Sequence, residues 1–509
     1  MGPTFRASMT LLHSWAGVIV GSLLFAIFWM GTLSVFDREI DRWMMPATRS
    51  LPATTKADLD VLWKVQGPAH GSSEWSVTQP TERTPMARIR QRGSDGKVRE
   101  SWHHPQTGQT LPEGETFGGS QFLYPFHYNL HLKAYDIGSW LVGFAGMTML
   151  AMLVSGVVIH RKIFADFFTL KPGRQPRRLL LEFHTVAGVA ALPFHVLITL
   201  SGLVIFFAIY FPATEKIVYG DTKPTFAAES QGLGDYARGR ANRPATSQSL
   251  NKLYDDARRH WGDGPFFIRV RHPGDANAFV EMRRAFDSEV RLNRDALYFD
   301  AVTGRLLHEF TTQPVVTVQR FIAGLHSIRF RHWSLRWLYF ALGLAGCTTI
   351  ATGFMFWVES RRRRHEAERL AGARVVEALS VGSVTGIVVA TLAFLVANRL
   401  LPSGVSLLGE TRAALEVWCF YIAWLLAFSH AWSRQGRAWM EQCLAIAMLA
   451  AAAVTLNWAT TGDHLARSLT DRSLWAIGGM DVTLLAGAAA AGAAALGLQR
   501  RRARRLQPV

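Results

Sequence analysis

The chain has 509 residues, of which 49% are hydrophobic, and it carries a formal charge of +17 at pH 7. Apolar runs of about 20 residues recur along it, which is typical of membrane-spanning helices and excludes an ordinary soluble domain. The basic residues cluster at the ends of these runs and not along an aromatic-studded face, so the charge does not indicate nucleic-acid binding.

Eight apolar runs predict eight spanning helices. In chain order the predicted spans are residues 9–36, 137–160, 181–210, 335–358, 376–398, 413–431, 438–459 and 474–498. The first run is too long for a signal peptide and lacks a small-residue cleavage pattern, so we expect it to remain as an anchor. Pro193 interrupts the third run.

The distribution of basic residues predicts the orientation. With the N-terminus inside, the five short cytoplasmic segments hold 20 Lys and Arg residues, whereas the two short outside loops hold four. By the positive-inside rule, both termini are therefore cytoplasmic. The two long polar segments, 37–136 and 211–334, are then outside.

Both polar segments carry strand and turn signals. Residues 266–271 and 278–283 alternate like strands around a Pro-Gly-containing turn, and each segment ends on a strand, a Thr-Gly turn and a second strand. The fold class that we predict is an α-helical integral membrane protein with about eight spans and two small α+β domains outside the membrane.

The first four helices contain an internal repeat. His13 and His184 each open a helix within the pattern His-x-x-Ala-Gly, so residues 9–160 and 181–358 are predicted to be two parallel copies of helix, outside domain and helix. The predicted parts are 1–36 (first helix), 37–136 (first α+β domain), 137–210 (second and third helices), 211–334 (second α+β domain), 335–358 (fourth helix), 359–375 (basic linker) and 376–509 (four-helix module).

Six histidines lie at matched depths in this duplicated frame. They are His13 and His184 just inside the cytoplasmic boundary, His160 at the inner end of the second helix, His195 near the bilayer middle, and His131 and His326 just outside the outer boundary. His127 lies four residues before His131.

Several chemistries could use intramembrane histidines. A metal site built by protein alone would need carboxylate or cysteine partners, and a proton relay would need acidic chains. Asp481, near the outer end of the eighth run, is expected to be isolated and interfacial. Paired imidazoles from facing helices fit haem b, whose iron takes two axial histidines. The small residues around Gly17 and Gly188 favour a porphyrin slot and close helix packing equally.

The stretches that hold these histidines resemble the PepSY-associated transmembrane helix proteins, a group that includes inner-membrane ferric-siderophore reductases of Gram-negative bacteria. The matching stretches are Leu12–Gly17, Phe126–His131, Ser155–Phe164, Ala191–Gly202 and the Thr-Gly pair at 352–353. The resemblance covers residues 9–360, and a four-helix extension occurs in one branch of the group. It implies two periplasmic PepSY-type domains, bound b-type haem and electron delivery to periplasmic ferric siderophores.

By the same resemblance, the candidate haem ligands are His13, His131, His160, His184, His195 and His326. Trp357 stands at the position equivalent to His160, so the inner site is not symmetric. On a straight helix His184 and His195 would lie about 16 Å apart and would serve different haems. The partner of His184 would be His13 or His160, and the outer haem would use His131 with His326, or His195.

We therefore expect two haems b in an inner-membrane enzyme that passes electrons to a ferric siderophore. No dinucleotide fingerprint is visible, so the donor is a separate cytoplasmic reductase or a quinol. Two alternatives remain open at this stage: a non-enzymatic PepSY sensing or binding protein, and a siderophore or iron permease.

Overall fold

The computed structural model describes residues 4–160, 176–368 and 371–506, apart from residues 53, 55, 69–71, 94 and most of 212–233. The chain divides into two units. The membrane unit comprises residues 1–46, 115–203 and 333–509, and the sheet unit comprises residues 47–114 and 204–332. Most of the predicted cytoplasmic loop at 161–180 lies outside the described residues.

The first half begins and ends with a long apolar helix. Its elements are α1 (Phe5–Ser34), α2 (Asp37–Met44), α3 (Leu59–Gln66), β1 (Glu74–Thr78), β2 (Ala87–Arg92), β3 (Val98–His103), a π-helical segment (Gly118–Leu123), α4 (Tyr124–Asn129), a 3₁₀ turn (Ala134–Asp136) and α5 (Ile137–Ile159). Thr4 caps α1 because its side chain accepts the amide hydrogen of Ala7.

The second half repeats this order with a broken first helix. Its elements are α6 (Pro176–Ala190), α7 (Leu192–Ile205), α8 (Phe207–Tyr210), α9 (Leu250–Trp261), β4 (Pro265–Arg271), β5 (Phe279–Arg284), β6 (Ala296–Asp300), β7 (Leu306–Phe310), α10 (Pro314–Ser327) and α11 (Trp333–Glu368).

The third predicted span is bent by 64° between α6 and α7. Pro193 has no N–H to donate to the carbonyl four residues earlier, and its ring crowds that turn. The bend lies between His184 and His195, so the straight-helix separation expected from the sequence does not apply.

The remaining chain forms a helical module. Its elements are α12 (Ala371–Leu400), β8 (Ser406–Leu407), β9 (Glu410–Thr411), α13 (Arg412–Ser433), α14 (Ala438–Thr461), α15 (Leu465–Thr470), a 3₁₀ turn (Arg472–Leu474) and α16 (Trp475–Leu506). Within the described chain, seven helices are long and apolar enough to cross a membrane, and the bent pair α6–α7 makes an eighth if it is one span.

A buried carboxylate joins this module to the first half of the chain. Asp481 of α16 is fully buried and accepts hydrogen bonds from Nε1 of Trp43 at 2.8 Å and Nδ2 of Asn457 at 3.2 Å. The interpretation of Asp481 as isolated is therefore wrong. The sequence could not reveal this, because both donors lie on other elements.

The two α+β segments share one sheet. It has seven antiparallel strands in the order β3-β2-β1-β4-β5-β6-β7, so the sheet crosses from one segment to the other where β1 pairs with β4. Inward side chains of both halves, such as Val77 and Ile268, are fully buried in one core with Leu62 of α3 and Leu253 of α9. This joining covers an edge strand of each half.

The sheet unit is smaller than the polar segments that the sequence predicts. Residues 37–46 and 115–136 belong to the membrane unit. Phe122 and Phe126 explain part of this difference, because both are buried in the apolar core of the membrane helices. Polar residues flank these segments and lower their mean hydropathy, so hydropathy alone does not assign them to the membrane unit.

Candidate functional site

His13 is fixed against α5 by its own ring. Its Nδ1 lies 3.0 Å from the carbonyl oxygen of Met152 and 3.1 Å from Oγ of Ser155. A carbonyl oxygen only accepts, so Nδ1 carries the hydrogen and Nε2 of the neutral ring presents a lone pair. A Cβ added at Gly156 would lie 3.4 Å from Cε1 of His13, so the glycine leaves the space that the ring occupies.

His184 repeats this arrangement in the second half. Its Nδ1 donates to the carbonyl oxygen of Thr349 on α11 at 2.8 Å, and a Cβ at Gly353 would lie 3.2 Å from its Cε1. Each histidine therefore binds a carbonyl and lies over the glycine four residues further along the same helix. Such a backbone acceptor is the usual outer partner of a metal-binding histidine, because it fixes the tautomer and the ring direction.

The structure brings His13 and His184 together. Their ring centroids are 6.1 Å apart and their planes are at 89°. Neither Nε2 makes a hydrogen bond to the described part of the chain. Two imidazoles that bind one iron from opposite sides, with metal–nitrogen bonds of roughly 2 Å, have centroids about 6 Å apart. The pair could therefore supply both axial ligands of a haem.

His195 on α7 is fully buried and has no hydrogen-bond partner in the described part of the chain. Both ring nitrogens are enclosed without a partner in hydrogen-bond geometry among the residues described, and the backbone of Leu342 lies near the ring outside that geometry. The ring packs edge to face on Phe28 at 5.8 Å, and a Cβ at Gly346 would lie 3.1 Å from its Nε2. A buried polar ring without partners costs about 1–3 kcal/mol, which a bound ligand would offset.

His160 lies beside the His184 helix. It follows α5 directly, and its Nε2 is 3.1 Å from Oγ1 of Thr185. In the second half, Trp357 takes the equivalent place and packs on Trp15 with ring centroids 6.4 Å apart. The inner site is therefore asymmetric at this position, as the sequence indicates.

His131 and His326 are not part of the His13–His184 pair. His131 uses both ring nitrogens, one 3.0 Å from Oη of Tyr421 and the other 2.9 Å from the carbonyl oxygen of Phe122. His326 lies in the last turn of α10, in the sheet unit. The sequence-based pairing of these two histidines stays a prediction.

Sequence reasoning gave too little weight to His127. Its Nδ1 donates to the carbonyl oxygen of Ile27 at 2.9 Å, and a Cβ at Gly31 would lie 2.6 Å from its Cε1. This is the same carbonyl-and-glycine arrangement that fixes His13 and His184. Gly31, four residues after Ile27 in α1, is visible in the sequence. The sequence does not show that the ring of His127 packs over this glycine.

Two further observations bear on the kind of site. In the described chain no group of three His, Cys, Asp or Glu side chains is arranged to hold a metal ion. Gly17 and Gly188 are in ordinary packing range of neighbouring helices, with Cβ positions 3.8 Å from Sδ of Met152 and 3.5 Å from Cγ2 of Thr349. A methyl group would fit at both positions, so close helix packing alone does not require glycine there.

Comparison with known proteins supports the sequence resemblance. The family model described as the PepSY-associated TM region matches residues 10–360. An uncharacterized protein of Pseudomonas aeruginosa is similar, with 27% identity over 290 residues, covering 52% of this chain and 69% of the relative. The match confirms the predicted family and includes both halves of the duplicated frame. The chain is thus a multi-pass membrane protein that belongs to the PepSY-associated transmembrane family.

Proposed function

We propose that this protein is a haem-containing reductase of the bacterial inner membrane that passes single electrons to a ferric siderophore in the periplasm. The observation that carries the proposal is the His13–His184 pair. Both Nδ1 atoms are bound to carbonyls, both Nε2 atoms lack hydrogen-bond partners among described residues, and the rings are 6.1 Å apart.

The protein's part in this function is to position ligands. The carbonyls of Met152 and Thr349 keep the hydrogen on Nδ1, so His13 and His184 offer Nε2 to a metal without losing a proton. A haem held there would supply a one-electron carrier in an apolar site near one end of the spanning helices. The glycines beneath the rings, Gly156 and Gly353, leave the space that the rings occupy.

His195 is the best-supported residue for a second haem. Its nitrogens are buried and unbonded to described residues, and the bend before α7 places it on a separate helix from His184. Two haems b per chain would give an electron path with one carrier nearer each membrane face.

The substrate and donor follow from chemistry and from the family resemblance. Reduction of Fe³⁺ to Fe²⁺ weakens its bonds to the hard oxygen ligands of a siderophore, so a one-electron step releases the iron. The electron would come from a cytoplasmic reductase or from a quinol in the bilayer. In this proposal the sheet unit is periplasmic and both termini are cytoplasmic, because basic residues flank the other ends of the spans.

The test is a visible spectrum of the purified full chain made with adequate haem supply, followed by pyridine haemochrome quantification. We expect about two haems b per chain. Protein in liposomes, given a membrane-impermeant reductant on one side, should then reduce an enclosed ferric chelate, read by a ferrous-specific dye. A haem-free protein would refute the proposal.

A permease is the second candidate, because a broken helix at the membrane middle is typical of transporters. The 64° bend beside His195 is the observation that favours it. The same liposomes distinguish the two: a permease would accumulate the intact ferric chelate without reductant, whereas a reductase would deliver only the electron.

A further inference from the structure

Three arginines in the sheet unit have no carboxylate partner among the residues that the structure describes. Arg294 precedes β6, Arg320 lies in α10, and Arg329 follows that helix. None of the three side chains forms an ion pair or hydrogen bond with a residue that the structure describes. Neighbouring arginines differ: Arg291 contacts Glu289 at 3.2 Å, and Arg331 contacts Asp287 at 3.3 Å.

The backbone holds Arg294 and Arg320 close together. The amide of Leu292 donates to the carbonyl of Arg320 at 3.3 Å, and a Cβ at Gly324 would overlap the carbonyl of Val290. Helix α10 therefore lies directly on the chain that leads to Arg294. Burial, together with the charges of nearby Arg320, Arg283 and Arg329, lowers the pKa of Arg294 to about 10.

The same place contains buried donors that have no acceptor. Nδ2 of Asn293, Nε of Arg294 and Nε of Arg320 are all enclosed and have no hydrogen-bond partner among the described atoms. Asn293 is 3% exposed. Arg294 and Arg320 are partly buried next to the exposed Arg329, and none of the three has a carboxylate partner among the described residues. Like charges repel and the enclosed donors lose hydration, so the arrangement is unfavourable unless an anion completes it.

We propose that Asn293, Arg294, Arg320 and Arg329 form a binding site for an oxyanion, a phosphate or carboxylate group. Planar guanidinium groups match the oxygens of phosphate and carboxylate in paired hydrogen bonds. This site is separate from the histidine pair and does not depend on bound haem.

The oxyanion could come from either of two sources. Arg329 lies four residues before Trp333, the first residue of the span α11, so at most about 14 Å of chain separates them. A phospholipid headgroup at the membrane surface is therefore within reach. A soluble anion in the surrounding water has the same chemistry.

The experiment compares the full chain with Arg294→Gln, Arg320→Gln and Arg329→Gln. The matched control is Arg331→Gln, which removes the same charge from an arginine that already has a carboxylate partner. Thermal unfolding in detergent is measured against sodium citrate and sodium phosphate, at constant ionic strength set with chloride. Native mass spectrometry records lipid kept after reconstitution with phosphatidylcholine alone or with phosphatidylglycerol added.

A soluble ligand predicts saturable stabilisation of the wild type and the control, weakened about tenfold or more in the three variants. A lipid ligand predicts that the wild type and control keep phosphatidylglycerol and the variants lose it. Without any anion, the variants should be at least as stable as the wild type, because a repulsion is removed. Equal responses of variants and control in both arms would overturn the proposal, and haem content does not enter either readout.

Discussion

Ser155 and Thr352 hold equivalent places in the two halves of the membrane unit. Each hydroxyl donates to the carbonyl three residues earlier, at 3.1 and 3.2 Å, and those two carbonyls also accept Nδ1–H of His13 and His184. The duplication therefore preserves a complete histidine support, including the ring, the carbonyl, the hydroxyl and the glycine. Such a support is what a ligand site needs and what simple helix packing does not.

Replacing either histidine of the pair should remove one haem. For His13→Ala and His184→Ala we expect about half of the low-spin absorbance to disappear, because one axial imidazole is lost from the same iron. The double variant should lose no more than the single ones. His260→Ala is the control, since His260 is half-exposed and contacts Glu309 in the sheet unit. Full low-spin absorbance in both single variants would show that the pair binds no haem.

His195→Leu distinguishes a ligand from a buried polar residue. If His195 binds a second haem, the variant should keep the spectrum of the first haem and lose that of the second. If the ring has no ligand, its replacement removes a buried unsatisfied group, and thermal stability should rise by about 1–3 kcal/mol with haem content unchanged. Haem quantification together with a melting curve separates these outcomes.

A methyl group beneath His184 should disturb the site without removing a ligand. In Gly353→Ala the new Cβ would lie 3.2 and 3.3 Å from Cε1 and Nδ1 of His184, so the ring must shift and its hydrogen bond to Thr349 must weaken. We expect a changed midpoint potential and a high-spin component in the spectrum.

Gly487→Ala is the matched control, because a Cβ there meets nothing within 4 Å. Alanine favours helix over glycine by about 1 kcal/mol, so the control should be neutral or slightly stabilising. Identical spectra for the two variants would contradict the support role of Gly353.

The orientation can be read with reporter fusions. A reporter active only in the periplasm should give signal when fused after Gly239 in the sheet unit, and none after Gly436, in the turn between α13 and α14. The segments on the same side of the spans as Gly436 contain an excess of basic residues. By the positive-inside rule, this side is cytoplasmic. The reverse pattern would invert the proposed electron direction.

The segment around Asp41 should lose stability as the pH rises. Burial raises the pKa of Asp41 from 3.8 to about 6, although Arg38 lies 3.5 Å away and the amides of Gly119 and Ser120 donate to its carboxylate. The native state then keeps its proton to a higher pH than the unfolded chain. This stability is fully present below about pH 4, is lost as the pH rises through 6 and is constant above.

Hydrogen exchange of residues 117–123, corrected for intrinsic rates, measures this effect between pH 4 and pH 7. In Asp41→Asn the pH dependence should disappear, since the amide does not ionise. A wild-type segment whose protection is constant over this range would contradict the prediction.

The parts of the fold that depend on local sequence were predictable. The run at 137–160 corresponds to Ile137–Ile159, because twenty apolar residues in succession leave few other structures. The pairing of β1 with β4 was not predictable, since Trp75 and Val270 are far apart in sequence. The residues of a strand do not specify which other strand it pairs with. Likewise, the sequence singled out His13 and His184 as equivalent, but only the structure shows that their rings meet.

The pairing of β1 with β4 has a consequence for symmetry. Each strand follows the helix of its own copy, and the two run antiparallel, with Ser76 opposite Arg269 at the middle of the register. Antiparallel pairing of equivalent strands is the contact that a two-fold axis produces. A half-length chain with one copy would thus complete the same sheet as a homodimer, so the contact between β1 and β4 has the form of a subunit interface contained in one chain. The two halves of such a chain can differ where two identical subunits cannot, and His160 and Trp357 at equivalent positions are one such difference.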